Sequence, residues 1–522
     1  MSETYRKIII VGTGFSGIGM GIALKKAGFH DFTILEKGND LGGTWRDNQY
    51  PGCACDVPSP LYSFSYELNP EWTRLFAPQP EIWEYLRGCV TKYGIDRHIE
   101  YGRRVEGMEW DDATRQWTVR TGDGHRYRTH AVVSGVGALH IPTYPDIAGA
   151  FGVDSDGAFT GESFHSSSWD RSYDLAGKRV AVIGTGASAI QFVPEVARQA
   201  SHLTVFQRTP PWIHPRPDMP IPPRVRRVLR TGPGAARGLR DVIYWALESR
   251  ALGFAVDPRL MAPLAALARK HLADQVADPD LRARLTPDYT IGCKRILLSS
   301  DYYPALQRPN VDLVTDAIKE ITAAGVLTAD GTARDVDVII YGTGFRVVDS
   351  ATELNVTGRD GVKLADAWSG GVEAFRGITV AGFPNFFMLL GPNTGLGHTS
   401  VVFMIETQVQ HVLSCLRILS KQKAAAIEVH EHALREYNDG LRRRLRRAVW
   451  EAGGCRSWYL DADGVNRTIW PGFTFEYWAR TRRARRTDYN VTALAPAPRQ
   501  RRPAHDRGEY GVEYDPVLST DR

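Results

Sequence analysis

The stretch Lys7-Ile-Ile-Ile-Val11-Gly12-Thr-Gly14-Phe-Ser-Gly17 decides the fold. Residues 7–11 are an apolar, β-branched run of the kind that forms a buried parallel strand. They lead directly into Gly12-x-Gly14-x-x-Gly17, a helical stretch to Ala27-Gly28, and a second strand over 31–35 that ends on Glu36. In such a turn the first glycine allows the tight bend and the second lets the backbone approach a pyrophosphate. The third lets helix and strand pack closely, while the helix N-terminus presents free N–H groups to the anion. Glu36 lies 24 residues after Gly12, where a carboxylate can bond a ribose 2′-hydroxyl. Strand, glycine turn, helix and acid together predict a dinucleotide-binding fold.

The pattern occurs a second time. An apolar strand over 178–183 precedes Gly184-Thr-Gly186-Ala-Ser188-Ala189, a helix to about residue 200 and a strand over 203–206. Alanine replaces the third glycine, a permitted variant. Counting 24 residues from Gly184 reaches Arg208 instead of an acid. A carboxylate would repel a 2′-phosphate, whereas a guanidinium fork pairs with it. The first site therefore suits FAD or NAD and the second suits NADPH, with Gly184, Gly186, Ser188 and Arg208 as expected contacts. Two sites of opposite preference in one chain imply electron flow from NADPH to a flavin. The expected fold is α/β, with two Rossmann-like dinucleotide-binding domains.

Composition narrows the class further. Of 522 residues 43% are hydrophobic and 24% charged, which excludes disorder as the main state. The formal charge of +5 is largely a property of the end of the chain, where ten Arg face six acids from Arg480 onward. The nearly neutral remainder argues against a nucleic-acid-binding face. Six cysteines without zinc-ligand spacing predict neither a metal site nor a disulfide scaffold, and fit a reducing, cytoplasmic setting. Residues 8–24 superficially resemble a signal peptide, but five glycines and the dinucleotide motif explain them better, and no membrane span is expected.

Between the two fingerprints stands Phe159-Thr-Gly161-Glu-Ser-Phe-His165-Ser-Ser-Ser-Trp169-Asp170. Here the chain resembles the type I Baeyer–Villiger monooxygenases, whose signature FxGxxxHxxxW, closed by Pro or Asp, it matches at every fixed position. Related nitrogen- and sulfur-oxidising flavin monooxygenases usually end that motif on Tyr. A second signature of the same family also matches: Gly43-Thr44-Trp45, four residues, Tyr50-Pro-Gly52, three residues, Asp56. The resemblance covers roughly residues 5–480. It implies FAD and NADPH as cofactors, and dioxygen and a small apolar ketone as substrates. One oxygen atom is inserted beside the carbonyl, through a peroxyflavin and a tetrahedral adduct, to give an ester or lactone. Such chemistry needs a fixed cation and a dry enclosure, and an arginine cannot lose its proton. By resemblance that cation is Arg295 of Ile291-Gly-Cys-Lys294-Arg295, with Asp56 its acidic partner. Lys294 then assists Arg208 with the 2′-phosphate, and Trp458 on a mobile loop contacts the nicotinamide nucleotide. His165 lines the interdomain linker and is not expected to act as a general base.

The expected organisation is a flavin domain in two parts, 1–145 and 335–480, with a nucleotide domain over 146–334 between them. A helical excursion interrupts the latter at about 220–287, and an Arg- and Pro-rich tail over 481–522 is expected to be mobile. Two other readings compete. A flavin monooxygenase oxidising nitrogen or sulfur would share both cofactors. A dithiol–disulfide reductase would need a redox pair, for which Cys53 and Cys55 are too tightly spaced.

Overall fold

A computed structural model describes residues 3–151, 159–347 and 352–493. The first sheet is built around β1 (Glu3–Val11), whose Ile8, Ile9, Ile10 and Val11 are all buried. It pairs in parallel with β2 (Phe32–Leu35) on one side and β6 (Arg126–Ser134) on the other. Helix α1 (Phe15–Lys26) connects β1 to β2, as a right-handed parallel crossover requires. Beyond β2 lies β3 (Ile99–Glu100), and beyond β6 the antiparallel strands β5 (Gln116–Thr121) and β4 (Val105–Asp111). Residues from far along the chain return to this sheet: Phe386–Met388 pairs with β6 and Val356–Thr357 with β4.

The second sheet contains β7 (Glu162–His165), β8 (Arg179–Ile183) and β9 (His202–Phe206), all parallel. Val311–Val314 flanks β9, and Val338–Tyr341 inserts between β8 and β7. The expectation that residues 335–340 re-enter the first domain is thus corrected. Val338–Tyr341 is wholly buried and bonds β8, and among the described residues the chain next pairs with the first sheet at Val356–Thr357. The apolar run alone does not say which of two similar sheets it joins.

Helices occupy the expected excursion: α2 (Pro223–Thr231), α3 (Ala235–Glu248), α4 (Ala262–Gln275) and α5 (Pro279–Arg284). Buried Arg240 of α3 donates to the carbonyls of Pro60, Leu61 and Ser63, and Glu248 accepts from the backbone N–H and hydroxyl of Thr474. The excursion is therefore bonded to the first domain. Part of the expected mobile tail is also corrected: Tyr489–Ala493 pairs antiparallel with Ala424–Val429, and buried Tyr489 bonds His411. Residues 494–522 of that tail lie outside the described residues. Among the described residues no helix is long and apolar enough to cross a membrane, and no group of His, Cys, Asp and Glu is arranged to hold a metal.

Candidate active site

Both glycine turns open into one cavity of about 2110 Å³, more than twice the upper end of ordinary small-ligand pockets. Gly12 adopts φ +95°, and a Cβ there would press on the Gly135 carbonyl; a Cβ on Gly17 would overlap the carbonyl of Gly12. The turn is thus closed against the β6 exit on one side and bare toward the cavity on the other. Gly43, from the second signature, faces Gly14, and Thr44 and Trp45 line the same wall. Trp45 is buried and donates its indole N–H to the Tyr62 hydroxyl at 3.2 Å. A bare glycine cradle at a helix N-terminus fits the pyrophosphate of a dinucleotide.

Glu36 sits where the spacing places it, but its carboxylate is already engaged. Oε2 accepts from the Thr13 N–H (3.0 Å) and hydroxyl (2.6 Å), and Oε1 from the Gly38 N–H (2.8 Å) and Arg46 (2.6 Å). Those four donors use its four lone-pair positions, so a ribose hydroxyl must share or displace one. Burial disfavours the charge, yet the bonds from Thr13 and Arg46 prevail and hold the carboxyl below its ordinary range. Thr13 and Arg46 were not legible as partners from spacing.

The second turn repeats the first. Gly184, at φ +110°, lies against the Gly342 carbonyl, and Ser188 heads the helix Ala189–Gln199 without capping it through its side chain. Gly184, Gly186, Ser188, Arg208 and Lys294 all line the cavity. Exposed Arg208 is near enough to Lys294 for its charge, after burial, to lower the lysine's pKa. Two like charges held together form a site for a doubly charged anion.

Arg295 and Asp56, 239 residues apart, meet in the same cavity. Arg295 donates from Nε to Asp56 Oδ2 at 2.6 Å and from Nη1 to the Leu396 carbonyl at 3.3 Å. Burial penalises the Asp56 charge, but the adjacent guanidinium prevails and keeps the carboxyl below its usual range. The carboxylate raises Arg295 in return. Two neighbours escaped sequence reading. Buried Tyr459 is coupled electrostatically to Arg295 and Asp56, its hydroxyl pushed up to about 12 by burial. Arg216 lies at 3.4 Å from the Cys55 carbonyl and adds positive charge beside Asp56.

The linker motif binds the two sheets together without lining the cavity. Gly161 leaves no room for a Cβ, which would meet the Asp337 carbonyl and the Phe159 ring. His165 is fully buried at the end of β7; its Nδ1 lies 2.8 Å from the Ser167 hydroxyl, and burial pushes its pKa down to about 4. Trp169 packs on Phe164 and on Phe192, which in turn touches Tyr50 of the second signature. Asp170 accepts from the N–H and hydroxyl of Ser172, shaping the turn after the motif. Gln191 strengthens the same seam, accepting from Tyr50 Oη at 3.1 Å and donating to the Ala54 carbonyl at 3.0 Å.

Cysteine placement departs from expectation. Cys293 and Cys455 form a disulfide across 162 residues, which no spacing rule could reveal. Cys53 and Cys55 are buried and unbonded, with burial raising both thiols, Cys53 to about 12. Thiols held protonated make a poor redox pair beside a flavin. Half-exposed Trp458 lines the cavity, its ring 4.3 Å from that of Tyr459.

Comparison with known proteins places this arrangement. Residues 9–235 match the family described as pyridine nucleotide-disulphide oxidoreductase. A Baeyer–Villiger monooxygenase of Pseudomonas aeruginosa is 49% identical over 487 residues, spanning 93% of this chain and 91% of its own. A cyclohexanone monooxygenase from Rhodococcus sp. Phi1, solved bound to NADP+, superposes with TM-score 0.83 at 27% identity, covering 94% of this chain and all of its own. A protein named OTEMO, solved with FAD and NADP, gives TM-score 0.81 at 28% identity over 91% of this chain and 97% of its own.

The chain belongs to the Baeyer–Villiger monooxygenase family. It is an FAD-dependent, NADPH-consuming monooxygenase that places one oxygen atom of dioxygen next to a ketone carbonyl.

Proposed function

We propose that Arg295 and Asp56 are the catalytic pair, that the Gly12 turn and the 43–45 wall hold FAD, and that the Gly184 turn, Arg208 and Lys294 hold NADPH. One observation carries the reading: the Arg295–Asp56 pair, 2.6 Å apart, lies in the single cavity that both glycine turns line. FAD reduced by NADPH supplies the activation of dioxygen. The chain's own residues supply a fixed positive charge, orientation and exclusion of water. Arg295 stays protonated at any working pH and stabilises negative charge developing on oxygen during transfer. Asp56 stays ionised, fixes the guanidinium plane and keeps the buried cation paired. The Leu396 carbonyl holds Nη1, and Trp458 covers the cavity.

The substrate is a small apolar ketone. Supporting this, Leu396, whose carbonyl binds Arg295, is joined on the lining by Leu390, Val401, Ile405 and Ile469. His165 belongs to the seam between the sheets and acts on their relative position rather than on substrate.

A mass-spectrometric assay with NADPH, heavy-isotope dioxygen and a panel of ketones, sulfides and amines tests both parts. One heavy oxygen appears in an ester or lactone from an apolar ketone. Arg295→Ala still consumes NADPH to reduce its flavin but loses ester formation by about 10²-fold or more. Ester formation at near wild-type rate in that variant removes Arg295 from its role. Labelled sulfoxide or N-oxide with no ester from any ketone rejects the substrate assignment.

A further inference from the structure

The Cys293–Cys455 bond joins the two segments on which the nucleotide side of the site depends. Cys293 directly precedes Lys294-Arg295, and Cys455 stands three residues before Trp458 and four before Tyr459. The segments also meet without the bond: Thr290 donates its N–H to the Gly453 carbonyl at 3.2 Å. Gly453 allows this approach, since a Cβ there would lie 2.8 Å from Cys293 Cβ. Both segments share an apolar cluster with Phe254, Met261 and Trp450, which ties them to the helical excursion. Cys293 is fully buried whereas Cys455 is partly exposed. The other four cysteines are buried and unbonded, so this is the single disulfide among the described residues.

Resting on the nucleotide-site reading above, we propose that Cys293–Cys455 is a thiol–disulfide modification site that fixes the Trp458 segment over the catalytic arginine. The oxidised form retains nicotinamide nucleotide, and the reduced form lets it go. Without the bond, residues 454–458 are held by their own few contacts: Arg456 and Trp458 are exposed, and Gly454 breaks the chain direction at φ +75°. Tyr459, buried beside Arg295, is the next firm anchor.

The chemistry balances with a dithiol as reductant and hydrogen peroxide as oxidant. One sulfur of the dithiol attacks the bond and forms a mixed disulfide, expelling one cysteine thiolate. Its second sulfur then displaces the other, so the cysteine pair gains two electrons and two protons as the dithiol becomes a disulfide. In the reverse direction one cysteine thiolate breaks the O–O bond of peroxide, giving a sulfenic acid and hydroxide. The second cysteine displaces the sulfenic hydroxyl as water and restores the bond.

The test uses FAD-loaded enzyme, with thiol state read by differential alkylation and mass spectrometry. NADP+ affinity is measured by calorimetry, and motion of residues 453–460 by hydrogen exchange. Reduction of the wild type with dithiothreitol should weaken NADP+ binding about 5–10-fold, within the range of ordinary coupling between sites, and speed exchange in that segment. Cys455→Ser should show the weakened affinity from the outset and no response to dithiothreitol, which separates the bond from general damage by reductant. Should that variant fail to fold, the reduced wild type answers alone. Equal NADP+ affinity in the oxidised and reduced wild type overturns the inference, as do free Cys293 and Cys455 thiols after peroxide treatment. Enzyme that binds NADP+ in neither state overturns the nucleotide-site reading, and this inference with it.

Discussion

Arg208 and Lys294 show how much a single position decides. Each is a cation that a solvated surface would tolerate, and 86 residues separate them, yet both line the cavity beside the Gly184 turn. Held together, they favour a ligand with a phosphate beyond the shared pyrophosphate. Arg208→Ala should raise the KM for NADPH about 10–100-fold, the cost of one or two charge-assisted bonds, while leaving the KM for NADH within about twofold. Steady-state kinetics with both nucleotides decides it, and equal losses would falsify the assignment. His165 makes a pH prediction at the same scale. Its folded pKa of about 4 lies below the ordinary histidine value because the ring is buried. Between about pH 4 and 6.5 the unfolded chain therefore binds a proton that the folded chain does not, and stability rises with pH across that window. Acidification through it should cost roughly 3 kcal/mol from this residue, and His165→Gln should flatten the fall in thermal midpoint.

At the scale of elements, the β1–α1 turn works because three backbones meet with no side chain between them. A Cβ on Gly17 would overlap the Gly12 carbonyl, and neither backbone can give way without moving β1 or α1. Gly17→Ala should therefore yield protein with a flavin-to-protein absorbance ratio well below that of the wild type, because the pyrophosphate cradle is displaced. A full flavin complement in that variant would show that the helix can shift. The linker motif belongs to the same scale. Phe159, Gly161 and Trp169 place β7 at the edge of the second sheet and lean it on the helix Ala189–Gln199, which Gln191 bonds to residues 50–54. The motif thereby packs against the helix that is hydrogen-bonded to residues 50–54.

Over the whole molecule, the most deeply buried polar ties between the helical excursion and the first domain run through two charged side chains. Arg240 donates to three carbonyls of residues 60–63 while only 4% exposed, and Glu248 holds Thr474 while 1% exposed. Arg240→Ala removes a buried cation and takes its donor from the carbonyls of Pro60, Leu61 and Ser63, of which Pro60 keeps the Ser63 hydroxyl. It should lower stability by about 1.5–3 kcal/mol, seen as an earlier thermal transition. An unchanged transition would place the excursion outside the cooperative unit.

The two glycine turns, the acid and the base at matching distances, and both long signatures were legible because each depends on neighbours close in sequence. Local backbone needs, such as a tight turn or a bare helix N-terminus, demand particular residues at fixed offsets wherever the chain goes next. The saturation of Glu36 by Thr13 and Arg46 and the Cys293–Cys455 bond were not legible, and the meeting of Asp56 with Arg295 was expected from the family resemblance rather than from spacing. Nor was the sheet that Val338–Tyr341 joins, since either sheet would bury such a run equally well. Those contacts pair residues from about 10 to 239 positions apart, and their partners are chosen by how strands stack and loops return. The sequence by itself determined which cofactors the chain is built to hold. Only the tertiary structure decided which charges face one another across them, because long-range pairing is settled by packing rather than by local spacing.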